Sequence, residues 1–154
     1  MAEPRWLDQR EAHLWQAYRD LQRELRNALD RQLLHAAGLS GADYALLVPL
    51  SEASGGRLRA RDLGSMVGWD RSRISHQLSR MEHRDLVTRE PCPDDARGSI
   101  VRLAAAGRSA IEAAAPNHVA TVRRLFLDPL SDDELDTLAT LFDRLLAGLA
   151  GTED

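Results

Sequence analysis

Lysine is absent from this 154-residue chain, cysteine occurs once, and no apolar run approaches the length of a membrane span. The lone Cys92 excludes an internal disulfide and fits a reducing compartment. Spanning a bilayer takes roughly 20 consecutive apolar residues. The opening Met1-Ala2-Glu3-Pro4-Arg5-Trp6 also lacks the apolar stretch of a secretory signal, so a cytoplasmic location without a membrane partner is expected. The five histidines (His13, His35, His76, His83, His118) form no pair four residues apart beside a carboxylate, so neither a metal site nor a cofactor is expected. A Gly-rich phosphate loop, a nucleophile elbow and an HExxH motif are all missing, which argues against an enzyme.

What is present is an ordinary soluble composition, 44% apolar and 29% charged. The length suits one compact domain, or a binding core with an appended dimerisation element. The net charge of −4 is segregated. Between Arg57 and Arg102 ten arginines face seven acids, whereas the rest of the chain holds ten arginines against seventeen acids. A basic middle steers toward phosphate while acidic ends keep the chain soluble. Codon bias suffices to explain why every cation is arginine. The physical consequence stands regardless, since guanidinium forks bind phosphate or guanine edges in bidentate fashion.

Apolar periodicity marks the elements. Leu14, Tyr18, Leu21, Leu25, Leu29 and Leu33 predict a first helix over about Leu7 to Ala37, stopped by Gly38. Ser40 and Asp43 then form an N-cap pattern for a second helix carrying Tyr44, Leu46, Leu47, Val48 and Leu50. That helix is apolar over more than half its girth, is weakened at Pro49, and ends before Gly55-Gly56. A third helix is expected over Ala60 to Val67 and a fourth from Asp70, as N-cap, to about Arg84. Two β-like runs follow, Leu86 to Glu90 and Ser99 to Leu103, joined by a loop from Pro91 to Gly98. A fifth helix begins near Ala105 with a kink at Pro116. Ser131-Asp132-Asp133-Glu134 opens a sixth, striped by Leu135, Leu138, Leu141, Phe142, Leu145 and Leu149.

The middle of this order reads as a winged helix-turn-helix. Gly64 is the small residue where two helices nearly touch, and Gly68 permits the turn. Leu63, Val67, Trp69, Ile74, Leu78 and Met81 fall at inward spacings. Outward, the fourth helix shows Arg71, Ser72, Arg73, Ser75, His76, Ser79 and Arg80, short polar groups and arginines suited to base edges and phosphates. A solvated amphipathic helix has a similar surface, and the adjoining hairpin decides for DNA. The fold class expected is mainly α (α+β). Residues 39–104 form the winged helix-turn-helix, and residues 1–38 and 105–154 (the first, fifth and sixth helices) form a helical dimerisation region. The apolar stripes of the end helices exceed what a short module covers, which predicts a symmetric homodimer; a monomeric core closed by the same helices is the alternative.

The hairpin Arg89-Glu90-Pro91-Cys92-Pro93-Asp94-Asp95-Ala96-Arg97-Gly98-Ser99-Ile100-Val101-Arg102-Leu103, followed by Gly107, resembles the wing of the MarR family of bacterial transcriptional regulators. The shared features are Asp95-x-Arg97 at the tip, a strand ending in Leu103, and Gly107 beyond it. The resemblance implies that Arg97 enters the minor groove and that Asp95 braces the wing by pairing with an arginine such as Arg97 or Arg73. It also implies a homodimer with interlocked end helices on a pseudo-palindromic DNA operator. A small aromatic or anionic effector would sit in a crevice between the dimerisation helices and the DNA-binding lobe. Trp15, Tyr18, Arg19, Arg26 and Tyr44 are the residues expected to line it, although each aromatic is also suited to core or interface packing. Where the family carries Thr or Ser after the strand's Leu, this chain has Ala104, which predicts a less defined start for the fifth helix.

The expected function is a DNA-binding transcriptional regulator, a repressor released by its effector. Two alternatives remain: a redox-sensing regulator acting through Cys92 in the wing, and a helical dimeric adaptor that binds protein in place of DNA.

Overall fold

The computed structural model describes residues 4–151. Nine principal elements follow one another: α1 (Gln9–Ala37), α2 (Gly41–Glu52), β1 (Arg57–Arg59), α3 (Ala60–Val67), α4 (Arg71–His83), β2 (Val87–Cys92), β3 (Asp95–Leu103), α5 (Ala105–Val122) and α6 (Asp132–Ala150). The fold is mostly helical with one small antiparallel sheet, ordered β1-β3-β2. No single helix among the described residues is long and apolar enough to cross a membrane.

Local chemistry explains most boundaries. Asp8 caps α1 by accepting from the Glu11 backbone N–H, while Glu11 returns a bond to Asp8, so the helix starts two residues later than the apolar pattern suggests. Gly38, at φ 64°, ends it. Ser40 and Asp43 form the same reciprocal box at α2. Pro49 does not break α2, which runs on to Glu52; proline removes one internal donor, and only the last turn follows it. α5 likewise runs through Pro116 without a break. The irregularity comes later, in a π-type turn over Arg123–Leu127, where the Asp128 N–H donates to the Arg123 carbonyl at 2.7 Å.

The chain falls into two compact units, one ending at His118 and the other beginning at Val119. In the first, Leu46, Leu47 and Leu50 of α2 are fully buried and pack with Leu33, Leu63, Ile74, Leu78, Met81, Val87, Val101 and Ile111. The second helix is therefore the centre of the core, as its all-round apolar character requires. On α1, by contrast, Leu33 is buried whereas Leu14, Trp15, Tyr18 and Leu21 are exposed. In the second unit, Ser131 and Glu134 form a third capping box. Here α6 exposes Leu141, Phe142, Leu145, Leu146 and Leu149.

Two features depart from the sequence reading. The sheet has a third strand, β1, whose Leu58 lies opposite Val101. The hairpin is also tighter than an eight-residue loop. β2 runs on to Cys92, which pairs with Asp95, and the register slips between Pro91 and Cys92. Pro91 lies opposite Ser99, so Ala96, Arg97 and Gly98 bulge outward with no partners on β2.

Candidate nucleic-acid interface

The α3–α4 corner is built by close approach. A Cβ on Gly64 would lie 3.1 Å from the Trp69 carbonyl oxygen and 3.2 Å from the Ile74 side chain, so only glycine lets the helices meet there without a shift. Gly68 adopts φ 68°, and the Trp69 N–H donates to Gly64 across the turn at 3.0 Å. Asp70 then caps α4 by accepting from the Arg73 N–H at 2.9 Å. Ile74, Gln77, Leu78 and Met81 point inward, at spacings of three and four.

The opposite face carries the residues expected to read DNA. Arg71, Ser72, Arg73, Ser75, His76 and Arg80 are exposed, and Ser79 is half-buried. Several are already held. The Arg73 guanidinium lies 4.0 Å above the Trp69 ring, a cation–π contact that lays it along the corner. Arg71 donates to the Arg97 carbonyl at 3.2 Å, which ties the first turn of α4 to the wing. Arg89 of β2 reaches back to Ser79 at 3.0 Å and to Glu82 at 2.9 Å. Between helix and wing lies a cleft of about 640 Å³ whose walls include Arg59, Arg61, Arg71, Arg89 and Arg97 over Ile74. Arginines on an apolar floor suit an anionic, flat-faced partner.

In the wing, Arg97 is exposed on the outward bulge, and its guanidinium forms no ion pair among the described residues. Among the described residues Asp95 engages no guanidinium, neither that of Arg97 nor that of Arg73. It accepts from the Arg97 backbone N–H at 3.0 Å, and its carboxylate lies against Gly98, where a Cβ would come within 2.8 Å of it. The wing tip is thus shaped through the backbone, while the ion pair in this region is Arg59 with Asp94 at 3.3 Å. Cys92 is largely buried at the foot of the tip, in the wall of the same cleft. Gly107 closes the other end: a Cβ there would run into the Leu86 carbonyl.

The residues expected to line an effector crevice fall into two groups in one chain. Trp15 and Tyr18 stack on each other, centroids 5.6 Å apart, on the exposed face of α1; Arg19 and Arg26 are exposed on the same helix. Tyr44 instead packs against His118 of α5, centroids 4.3 Å apart. Tyr18 precedes Asp30, which touches α2 at Gly41, by twelve residues, roughly 18 Å along a helix axis. Burial lowers the His118 pKa from its ordinary value and raises that of Tyr44, favouring the neutral form of each ring. Among the described residues, no three His, Cys, Asp or Glu side chains gather as a metal site.

Sequence reasoning missed Arg59 and Arg89, because nothing local distinguishes an arginine in a cleft wall from a solvated one. It also read Asp43 only as a capping residue. Its carboxylate is 1% exposed and accepts from Gln77 and Arg84 of the α4 segment, 34 and 41 residues away.

Comparison with known proteins agrees with this geometry. The model of the MarR family matches residues 37–98. AbsC, a MarR family transcriptional regulator from Streptomyces coelicolor, is 38% identical, with 97% of this chain and all of that one covered, at a TM-score of 0.89. Sco3205, another MarR family regulator of that organism, solved in complex with DNA, is 36% identical over 98% of this chain and 94% of its own, at 0.91. PcaV, also from Streptomyces coelicolor and solved with its natural ligand, is 26% identical over 94% and 98%, at 0.71. A search of curated proteins gives no significant match.

Proposed function

The chain belongs to the MarR family of transcriptional regulators, and from that premise we propose that it is a cytoplasmic homodimeric repressor released from its operator by a small aromatic or anionic effector. The observation that carries the DNA-binding part is the exposed row Arg71, Ser72, Arg73, His76 and Arg80 on α4 beside the free Arg97 guanidinium of the wing. α4 enters a major groove, where Ser75 and Ser79 also approach bases or phosphates, and Arg97 enters the adjacent minor groove. Residues 39–104 do the reading. Residues 1–38 and 105–154 pair with a second copy, which covers the apolar stripes left exposed on α1 and α6. Two half-sites about one helical turn apart give a pseudo-palindromic operator of roughly 16–20 base pairs.

The effector part is supported by the ligand-bound PcaV relative. In this reading Tyr44, with Trp15, Tyr18, Arg19 and Arg26, lines the crevice once two copies are assembled. An effector that favours one spacing of the two α4 helices over another shifts the population off DNA.

The test is selection of duplexes from a random pool by the purified protein, followed by titration of the winning duplex against salt. We expect a two-fold symmetric consensus, a dimer by mass, and affinity that falls steeply with salt. Equal, weak binding to selected and scrambled duplexes would overturn the reading in favour of an adaptor that binds protein.

A further inference from the structure

The exposed Arg80 guanidinium does not hang free in solvent. It donates to Gln77 Oε1 at 2.5 Å; Gln77 Nε2 in turn donates to Asp43 Oδ1 at 2.7 Å. Asp43 Oδ2 takes the Arg84 guanidinium at 2.6 Å and the Ser40 N–H at 2.9 Å, and Arg84 also donates to the Gly38 carbonyl at 2.7 Å. Asp43 and Gln77 are both almost completely buried.

We infer that Asp43 is a positioning residue for DNA binding, acting through Gln77 to hold the Arg80 guanidinium in place on the reading face of α4. The argument is one of polarity. A carboxylate only accepts hydrogen bonds and a guanidinium only donates them. The Gln77 amide between them has one orientation that satisfies both: nitrogen toward Asp43, oxygen toward Arg80. Flipping it would set oxygen against carboxylate and N–H against N–H. The buried charge thus fixes the amide, and the amide fixes a side chain that would otherwise lose several rotatable bonds of freedom on meeting phosphate. The anchor itself cannot drift, because Arg84 and the Ser40 cap bind the same carboxylate to the ends of α1 and α2. This inference rests on the reading that α4 contacts DNA.

The test is a set of mutant cycles on the duplex selected by the wild-type protein. Gln77→Leu removes the relay and leaves the Asp43–Arg84 pair and the Ser40 cap. It should lower affinity about 3- to 10-fold, the scale of one side chain that must now be ordered on binding. In an Arg80→Ala background the same change should cost less than about 2-fold, whereas in an Arg97→Ala background it should keep its full effect. A merely loosened fold would cost the same in all three backgrounds, and that result, or no loss in the wild-type background, overturns the relay. If Gln77→Leu fails to fold, Gln77→Met keeps the length without the amide and carries the same cycle. Wild-type protein that selects no duplex overturns the DNA reading and the relay together; wild-type binding with a flat cycle overturns the relay alone.

Discussion

The two flanks of α4 are held by opposite means. On one, Gln77 and Arg84 donate to the buried Asp43 carboxylate in the first turn of α2, Arg80 joins through Gln77, and Arg84 also bonds to the end of α1. On the other, Arg71 meets the wing through an exposed bond, and Ser79 and Glu82 meet it through half-buried contacts to Arg89, with no fully buried group among them. A charge-assisted bond to a fully buried carboxylate is expensive to break, whereas a pair in which both side chains stay partly wet contributes less. The helix is therefore fixed to its core on one side and loosely tethered to the wing on the other. That division suits a reader whose wing adapts to a second groove while its helix keeps register.

Asp43→Ala should show the largest effect. It strips Arg84 and Gln77 of their acceptor and α2 of half its capping box, and should lower unfolding free energy by about 2–4 kcal/mol. Denaturant melts would show it, and a loss below about 1 kcal/mol would mean the buried flank is no stiffer than the wing. Arg97→Ala attacks the wet flank and should do the reverse. Operator affinity should fall by about 1–3 kcal/mol while stability stays within about 0.5 kcal/mol. Full affinity in titrations of that variant would leave the wing without a reading role.

The wing's two roots give smaller effects. Asp85 stands at φ 58° just past α4, where the Leu86 N–H bonds back to Met81 and the Asp85 N–H to Glu82. This is the glycine position of a Schellman ending, so Asp85→Gly should stabilise by about 0.5–1 kcal/mol. At the other root the Ala104 carbonyl accepts the first bond of α5, from Arg108 at 3.0 Å, but its side chain offers nothing to the N–H of Gly107. Ala104→Thr supplies that acceptor and should add about 0.5–1.5 kcal/mol. An unmoved melting midpoint would place the helix start elsewhere.

The α3–α4 corner and the wing tip were legible in the sequence, whereas the contacts on both flanks of α4 were not. Gly68, Asp70 and the Ser131 box announce themselves because their causes lie within four residues, Gly64 because its neighbours Trp69 and Ile74 lie within ten, and the tip motif Asp95-Ala96-Arg97 marks the wing. Asp43 also looked local, a capping carboxylate three residues after Ser40, and its second role depends on partners 34 and 41 residues on. β1 escaped for a different reason: three residues with one apolar side chain carry no alternation, and Arg57–Arg59 is a strand only because β3 offers it an edge. The hairpin's true length was hidden by Pro91 and Pro93, which read as loop although Pro91 sits opposite Ser99 in the ladder. Trp15 and Tyr18 were grouped with Tyr44 by residue type, and in one chain the fold separates them along α1.

The smallest expected effect is the sharpest check on the comparison. Arg59 and Asp94 join β1 to the wing turn at 3.3 Å, and the Asp94 side chain is 76% exposed. If solvent exposure is what makes this flank compliant, breaking the pair must cost almost nothing. Arg59→Ala and Asp94→Ala should each change stability by less than about 0.5 kcal/mol, with a coupling between them below about 0.5 kcal/mol in a double-mutant cycle. DNA affinity separates the two residues even so. Arg59 also lines the basic cleft, so its loss should weaken binding and flatten the salt dependence, while loss of Asp94 removes a negative charge near phosphate and should strengthen binding slightly. A coupling energy near that of a buried pair would show that the wing is held as rigidly as the core, and the contrast between the two flanks would collapse.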